Sequence, residues 1–320
     1  MENECEYREE PVIVRDFETS AHFLVEFLCS DQSKTFRYPQ GLLYRGEASE
    51  EYTLVPSALR QNAQERFVRL VRGAGLIFSD TKQVEEEHAH IEGEYALMRY
   101  FYRKANKQGL HLPPIPYIWH ERLQRQPSPW MPTSEKEWIP KELAEIAALM
   151  QHYGFPTRML DWTSNILTAL YFAANGAAKR MREGNADKSD HMVIWVLRRP
   201  LGVLDEEFPN QAFPVKFITP SYAHNPNINA QQGVLSYIPA SPFSREKDKY
   251  CMPLDEYLKS YYNDSDHICM QTVLTKARIP IMNYKHTLQI LSSFGVNSST
   301  VFPGYSGIFN QLEEESHDVR

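Results

Sequence analysis

Apolar residues along this chain recur at two different spacings, which predict helices in some segments and strands in others. Helical spacing occurs in residues 20–29, 84–108, 140–153 and 166–178, in a helix ending near residue 295, and in residues 305–315. Short apolar runs at residues 41–48 and 192–197 are typical of buried strands. Because helices and strands are interspersed, we expect the α+β class, with a central β-sheet flanked by helices.

One long segment interrupts this pattern. Residues 106–140 contain many prolines and three tryptophans, and their apolar positions follow little period. About thirty irregular residues inside a compact domain are typical of a lid, an insertion or a disordered arm. We therefore expect an N-terminal segment at 1–19, one domain at 20–312 that contains this insertion, and a C-terminal tail at 313–320.

Charge and composition exclude several classes of protein. The net charge is −7, so the chain lacks the global basic footprint of a nucleic-acid-binding protein, although a local basic patch stays open. The four cysteines are scattered and form no CxxC pair, which argues against a zinc site or a disulfide framework. The polar N-terminus and the lack of about 18 consecutive apolar residues predict a cytoplasmic protein that does not bind membranes.

The segment QHYGFPTRMLDWTSN, residues 151–165, concentrates polar and aromatic residues between two apolar helices. Gly154 is expected to end the first helix, and Pro156 favours an extended chain, so residues 157–162 are predicted to form a short strand. Ser164 or Asn165 would then cap the next helix.

This arrangement places Thr163, Ser164 and the first backbone N–H groups at a helix N-terminus, which favours anions. With Arg158 and Asp161 on the preceding strand, the segment could bind a phosphate or a ribose. In the alternative interpretation, Arg158 and Asp161 pair with each other or cap the helix, and Trp162 is a core residue.

A second polar position follows the apolar strand at residues 41–48. Arg45 lies directly before Gly46, and its guanidinium could hold a pyrophosphate or a carboxylate with two hydrogen bonds. Gly46 would allow a ligand, or another backbone, to approach closely. Alternatively, Arg45 is a buried residue paired with an acid such as Asp161 or Glu94.

Several motifs together resemble the FRG-domain family, named for its Phe/Tyr-Arg-Gly motif. They occur in the family's order and are YRG at 44–46, PSALR at 56–60, QHYGFPTRMLDWTSN at 151–165, ALYFAA at 169–174 and QQG at 231–233. The similarity extends through most of residues 20–310. The chain departs from the family at Glu47, where members often have Gln, and at Asn227 and Leu235, where Arg and Phe are usual.

The order of these motifs also resembles that of ADP-ribosyltransferase folds, which implies NAD as the ligand. The resemblance implies Arg45 on the phosphate or ribose, Asp161 and Thr163 on the nicotinamide ribose, and Gln231 on a third strand. The remaining predicted ligand contacts are Tyr44, Gly46, His152, Tyr153, Arg158, Trp162 and Ser164, with Tyr153 or Trp162 stacking on nicotinamide. A carboxylate from Glu47, Glu94 or Asp161 would have to stabilise the positive charge that develops on the ribose.

Two functions follow from these observations. The first is an NAD-dependent ADP-ribosyltransferase or NAD glycohydrolase with a nucleotide-binding cleft, acting as a toxin or antiviral defence effector on a protein or nucleic-acid acceptor. The second is a noncatalytic interaction or sensing module whose polar motif is a buried network. Residues 119–130, WHERLQRQPSPW, interleave aromatic and basic residues and could clamp nucleic acid or a peptide, or form a surface loop anchored by two tryptophans.

Overall fold

The computed structural model describes residues 14–21, 41–76, 87–125, 137–199, 213–221, 225–240, 252–264 and 272–318. The strands in these residues are β1 (Val14–Glu18), β2 (Leu42–Glu47), β3 (Leu160–Thr163), β4 (His191–Arg198), β5 (Lys216–Ile218), β6 (Gly233–Tyr237) and β7 (Leu274–Pro280). The α-helices are α1 (Gln64–Gly73), α2 (Glu87–Lys107), α3 (Tyr117–Arg125), α4 (Ala144–His152), α5 (Ile166–Arg182), α6 (Pro226–Gln231), α7 (Leu254–Asp264), α8 (Tyr284–Ser293), α9 (Ser298–Val301) and α10 (Tyr305–Asp318).

The chain divides into two compact units. The first unit comprises residues 1–52, 163–212 and 255–320, and the second comprises residues 53–162 and 213–254. Helices occur together with parallel and antiparallel strand pairs, which confirms the predicted mixed α/β character with sheet flanked by helices.

The first unit is built on a mixed sheet in which β4 is an interior strand. Its strands follow the order β1-β7-β4-β2, with β1 parallel to β7 and the other neighbours antiparallel. The six central residues of β4 are buried, as expected for a strand with neighbours on both edges and packing on both faces. At the edge of β2, Tyr44 pairs with Thr163.

Helix α5 packs closely on one face of this sheet because both surfaces carry small residues. Its alanines Ala169, Ala173 and Ala177 are fully buried in the same apolar cluster as Tyr44. A Cβ atom added to Gly46 would lie 1.9 Å from the backbone carbonyl oxygen of Ala169. Gly46 therefore admits a helix backbone, the second of the two alternatives that its position in the sequence left open.

The second unit has a helical core formed by α1, α2, α3 and α4 with the β5–β6 antiparallel pair. Within residues 106–140, which were expected to be irregular, residues 117–125 form α3, and residues 126–136 lie outside the described residues. Trp119 and Leu123, four positions apart, are buried in the core and give this helix its apolar face. The prolines and basic residues around α3 obscure the helical spacing of its apolar residues in the sequence.

Most of the other helices and strands predicted from the sequence are present in the structure. The strands at 41–48 and 192–197 and the helices at 84–108, 140–153, 166–178 and near the C-terminus are confirmed. The predicted helix at 20–29 lies outside the described residues beyond residue 21. Helix α10 continues to Asp318 and so includes most of the residues that the sequence assigned to a tail.

Substitution of Gly46 tests the close packing of α5 on β2. We expect Gly46→Ala to lower the free energy of unfolding by about 1–3 kcal/mol, because the new methyl group meets a backbone carbonyl that cannot rotate away. The measurement is urea unfolding followed by circular dichroism. Gly73→Ala at the end of α1 is the matched control, since nothing lies within 4 Å of its added Cβ, and it should leave stability unchanged or slightly higher.

Candidate functional site

In the first unit, the FRG motif places an ion pair on strand β2. Arg45 Nε donates to Glu47 Oε1 at 2.7 Å, and the two side chains are 15% and 14% exposed. Residues two apart on a strand point to the same face. Since Tyr44 and Gly46 face α5, Arg45 and Glu47 lie on the opposite face of the sheet.

A row of hydrogen-bond donors and cations runs across this face. Arg45 lies opposite Trp195 in the β2–β4 ladder, and Trp195 lies opposite Lys276 in the β4–β7 ladder. The Lys276 ammonium is 5.5 Å from the centre of the Trp195 ring. Within the part of the chain that the structure describes, the buried Trp195 indole N–H has no hydrogen-bond partner. An unsatisfied buried donor is costly and favours an acceptor supplied from elsewhere.

The predicted anion site at the start of α5 is already occupied by side-chain caps. Thr163 Oγ1 accepts a hydrogen bond from the backbone N–H of Asn165 at 3.0 Å, and Asn165 Oδ1 accepts from that of Leu167 at 2.9 Å. The Thr163 side chain therefore caps α5 and lies on the face of the sheet opposite to Arg45. The structure does not bring the Arg45 and Thr163 side chains together on one face, while Ser164 lies exposed between Thr163 and the cap residue.

In the second unit, Arg158 belongs to a buried network centred on Glu94. Arg158 Nε and Nη2 donate to the Glu94 carboxylate at 2.8–3.1 Å, and both side chains are buried. His90 Nδ1 lies 2.9 Å from Glu94 Oε1, and the Trp138 indole N–H donates to Glu94 Oε2 at 2.8 Å. Arg158 therefore pairs with Glu94 and not with Asp161, the partner that the alternative interpretation offered, and it stabilises the fold of this unit.

The network also determines the ionisation of Glu94. Burial alone would raise its pKa, but the positive charges of Arg158 and His90 and their hydrogen bonds outweigh burial and lower the pKa from 4.5 to about 2. Glu94 is thus a carboxylate whose charge is satisfied inside the protein, which makes it a poor candidate for stabilising charge on a ligand.

Asp161 has a different environment, at the surface of the second unit. Its side chain is exposed, and Oδ1 accepts a hydrogen bond from Gln151 Nε2 at 2.6 Å. The Thr157 hydroxyl donates to the other end of the same Gln151 amide. Burial lowers the pKa of nearby His152, and the charge of Asp161 partly offsets this effect. Tyr153 is 64% exposed.

The last two predicted site residues of the second unit lie elsewhere. Trp162 is buried and donates to Ser236 Oγ at 2.7 Å, which supports its interpretation as a core residue. Gln231 was expected on a third strand, but it ends α6, and strand β6 begins at Gly233. The left-handed conformation of Gln232, with φ of 48°, ends that helix and turns the chain into the strand.

Sequence reasoning did not assign the contacts of several residues that define these environments. His90 and Glu94 are four apart on α2, a spacing that places both on one helix face, and this signal was available. The positions of Trp138, Trp195 and Lys276 depend on strand register and chain reversal, for which the sequence contains no local signal.

Comparison with known proteins agrees with the motif-based prediction. Residues 40–182 match the FRG domain, from just before β2 to the end of α5. The protein is therefore an α/β protein that carries an FRG domain. The chain matches no curated protein and no solved structure.

The arrangement of the described residues also bears on metal binding and on membrane insertion. Among the described residues, no group of three or more His, Cys, Asp or Glu side chains is arranged to hold a metal ion. Within the same residues, no helix has both the length and the apolar character needed to cross a bilayer.

The Glu94 network predicts a pH-dependent stability. Glu94→Gln should lower the free energy of unfolding at pH 7 by about 3–5 kcal/mol, because it leaves the Arg158 charge buried without its partner. The folded pKa of Glu94 lies below its ordinary value, so its contribution is present above about pH 4.5 and is lost as the pH falls toward 2. Urea unfolding from pH 7 to pH 2.5 should show the difference from wild type shrink across this window.

Glu145→Gln on α4 is the matched control for this experiment, since Glu145 is exposed and outside the network. Equal stabilities of Glu94→Gln and Glu145→Gln at pH 7 would contradict the assignment of Glu94.

Asp161→Asn distinguishes a ligand-facing carboxylate from a structural one. We expect a loss of under about 1 kcal/mol, because Asp161 is exposed and asparagine keeps an acceptor for Gln151. Thermal unfolding of Asp161→Asn beside Glu94→Gln measures this. A loss as large as that of Glu94→Gln would mean that Asp161 is a structural residue.

Proposed function

We propose that the FRG domain binds a nucleotide-like ligand through Arg45 and acts on NAD as an ADP-ribosyltransferase or NAD glycohydrolase. The observation that supports this most is the Arg45–Glu47 pair, which places a cation and a carboxylate 2.7 Å apart on one face of β2. A reaction at the ribose of NAD needs both charges, a cation for the pyrophosphate and a carboxylate near the ribose.

Glu47 is the best of the three carboxylates that the sequence offered for this purpose. Glu94 is excluded by its buried network with Arg158 and His90. Glu47 is adjacent to Arg45, and the buried Trp195 N–H lies on the same face of the sheet. This donor and the Lys276 ammonium add to the positive surroundings of a bound phosphate.

The proposed reaction breaks the bond between the ribose C1′ and the nicotinamide nitrogen. The bonding electron pair leaves with nicotinamide, positive charge develops on the ribose, and the Glu47 carboxylate stabilises that charge. Water, or a nucleophile of a protein or nucleic acid, then forms the new bond at C1′ and loses its proton. Asp161, Thr163 and Gln231 stay predictions as ribose contacts. A role as toxin or antiviral defence effector is likewise part of the proposal.

The test is nicotinamide release from labelled NAD, with and without cell lysate as a source of acceptors. Glu47→Gln should lower the release rate by about 100-fold or more, because it removes a preorganised charge while keeping the shape of the side chain. It should retain the rise in melting temperature that NAD causes. Arg45→Ala should lose both the rate and the thermal shift, since the pyrophosphate loses its cation.

Glu51→Gln is the matched control, an exposed Glu-to-Gln change in the same unit, and should behave as wild type. Absence of both turnover and thermal shift in wild type at millimolar NAD would overturn the proposal. Full turnover in Glu47→Gln would show that the Glu47 carboxylate does not take part in the reaction.

A second candidate function is a noncatalytic interaction or sensing module. It is favoured by the burial of Arg158 and Trp162, two polar members of the QHYGFPTRMLDWTSN motif whose hydrogen bonds lie inside the second unit. This candidate predicts that wild type binds a partner without any release of nicotinamide, so the same assay separates the two functions.

A further inference from the structure

The second half of helix α2 exposes a stripe of one aromatic and three basic side chains. The stripe consists of Tyr100, Arg103, Lys104 and Lys107, whose spacing of three, four and seven positions places them on one helix face. All four side chains are exposed, and the Tyr100 ring is 41% exposed. We call this surface the basic stripe.

Among the residues that the structure describes, the cations of the basic stripe have no acidic partners. No described carboxylate lies within ion-pair distance of Arg103, Lys104 or Lys107. Lys104 instead lies with its ammonium 5.5 Å from the centre of the Tyr100 ring. These charges are therefore available to an anion in solvent.

Helix α3 contacts α2 through the buried Tyr102, on the side of α2 away from the basic stripe. The Tyr102 hydroxyl and His120 Nδ1 are hydrogen-bonded at 3.0 Å. Tyr117 is 73% exposed and stacks on His120, with ring centres 6.3 Å apart and planes 24° apart. Of the two tryptophans in residues 119–130, Trp119 is buried, as the alternative of a loop anchored by tryptophans expected, and Trp130 lies outside the described residues.

The charge of this region opposes that of the whole chain. Residues 99–124 contain five Lys or Arg residues and one acid, Glu121, whereas the chain has a net charge of −7. Burial lowers the pKa of Arg99, and the positive charge of Arg103 acts in the same direction. The exposed cations of this region create a local positive surface that attracts anionic partners although the whole chain is acidic.

We propose that the basic stripe binds single-stranded nucleic acid. The exposed Tyr100 ring offers a stacking surface for an unpaired base, and the neighbouring cations offer contacts for the backbone phosphates. A duplex hides its bases from such a ring, and polyglutamate has no ring to stack on it. The combination of an exposed ring and cations therefore favours a single strand. This inference is independent of the proposed action on NAD.

The experiment measures binding of a fluorescent thymidine 20-mer to the full chain by anisotropy. The same assay is made with a uridine 20-mer, a 20-base-pair duplex and polyglutamate. We expect the single strands to bind more tightly than the duplex or polyglutamate. A plot of log affinity against log salt concentration should have a slope of about −2, because three cations each contribute about −0.7 on a single strand.

Variants separate stacking from charge. Tyr100→Ala should weaken binding about 5- to 100-fold, whereas Tyr100→Phe, which keeps the ring, should stay near wild type. Lys104→Glu with Lys107→Glu should weaken binding and reduce the salt slope. The matched control is Arg182→Glu with Lys285→Glu, the same charge change at exposed positions on α5 and α8, which should leave binding unchanged.

Circular dichroism melting establishes that each variant is folded. Equal loss of binding in the control pair and in Lys104→Glu with Lys107→Glu would overturn the proposal, since attraction would then follow net charge alone. Equal affinity for duplex and single strand, or for polyglutamate, would overturn it as well, and so would undiminished binding by Tyr100→Ala.

Discussion

The second unit depends on one buried carboxylate. Glu94 receives hydrogen bonds from Arg158, His90 and Trp138, which come from three different stretches of the chain. Taking these charges out of water is favourable only while every partner is present, so the network tolerates few alternative arrangements. It holds α2, the segment before α4 and the segment before β3 in one geometry, and the exposed side chain of Asp161 follows from that geometry.

The conspicuous FRG motifs therefore combine two kinds of residue. Arg158, Trp162 and Gly46 form internal contacts, with a carboxylate, a hydroxyl and a helix backbone respectively. Arg45 and Asp161 keep contact with solvent or with other polar groups near the surface. A motif rich in polar residues therefore does not by itself locate a ligand site. Burial distinguishes the residues of the motif that form internal contacts from those that lie near the surface.

The sequence predicted the local structure well and the partners of polar residues poorly. Strands β2 and β4 and the long helices follow from apolar period, which is a local property. The sequence offered Arg158 a ligand or, in the alternative, Asp161 three positions away, whereas its partner in the structure is Glu94, which is 64 positions away. Gln231 was assigned to a strand by analogy, while the capping Asn225 and the left-handed Gln232 determine a short helix there. The local sequence contains no signal for the pairing of side chains that are far apart in the chain, or for the register of paired strands.

Two glycines that allow α5 to approach its strand differ in how their loss could be compensated. The obstacle to a side chain at Gly46 is the backbone carbonyl of Ala169, which every amino acid possesses. No second-site suppressor at position 169 can therefore restore an alanine at 46. At Gly176 the nearest atom is the Cβ of Ala48, at 2.7 Å, which glycine at 48 would remove. An alanine at position 46 thus cannot be accommodated by a change of side chain at position 169, whereas positions 48 and 176 can exchange their small residues as a pair.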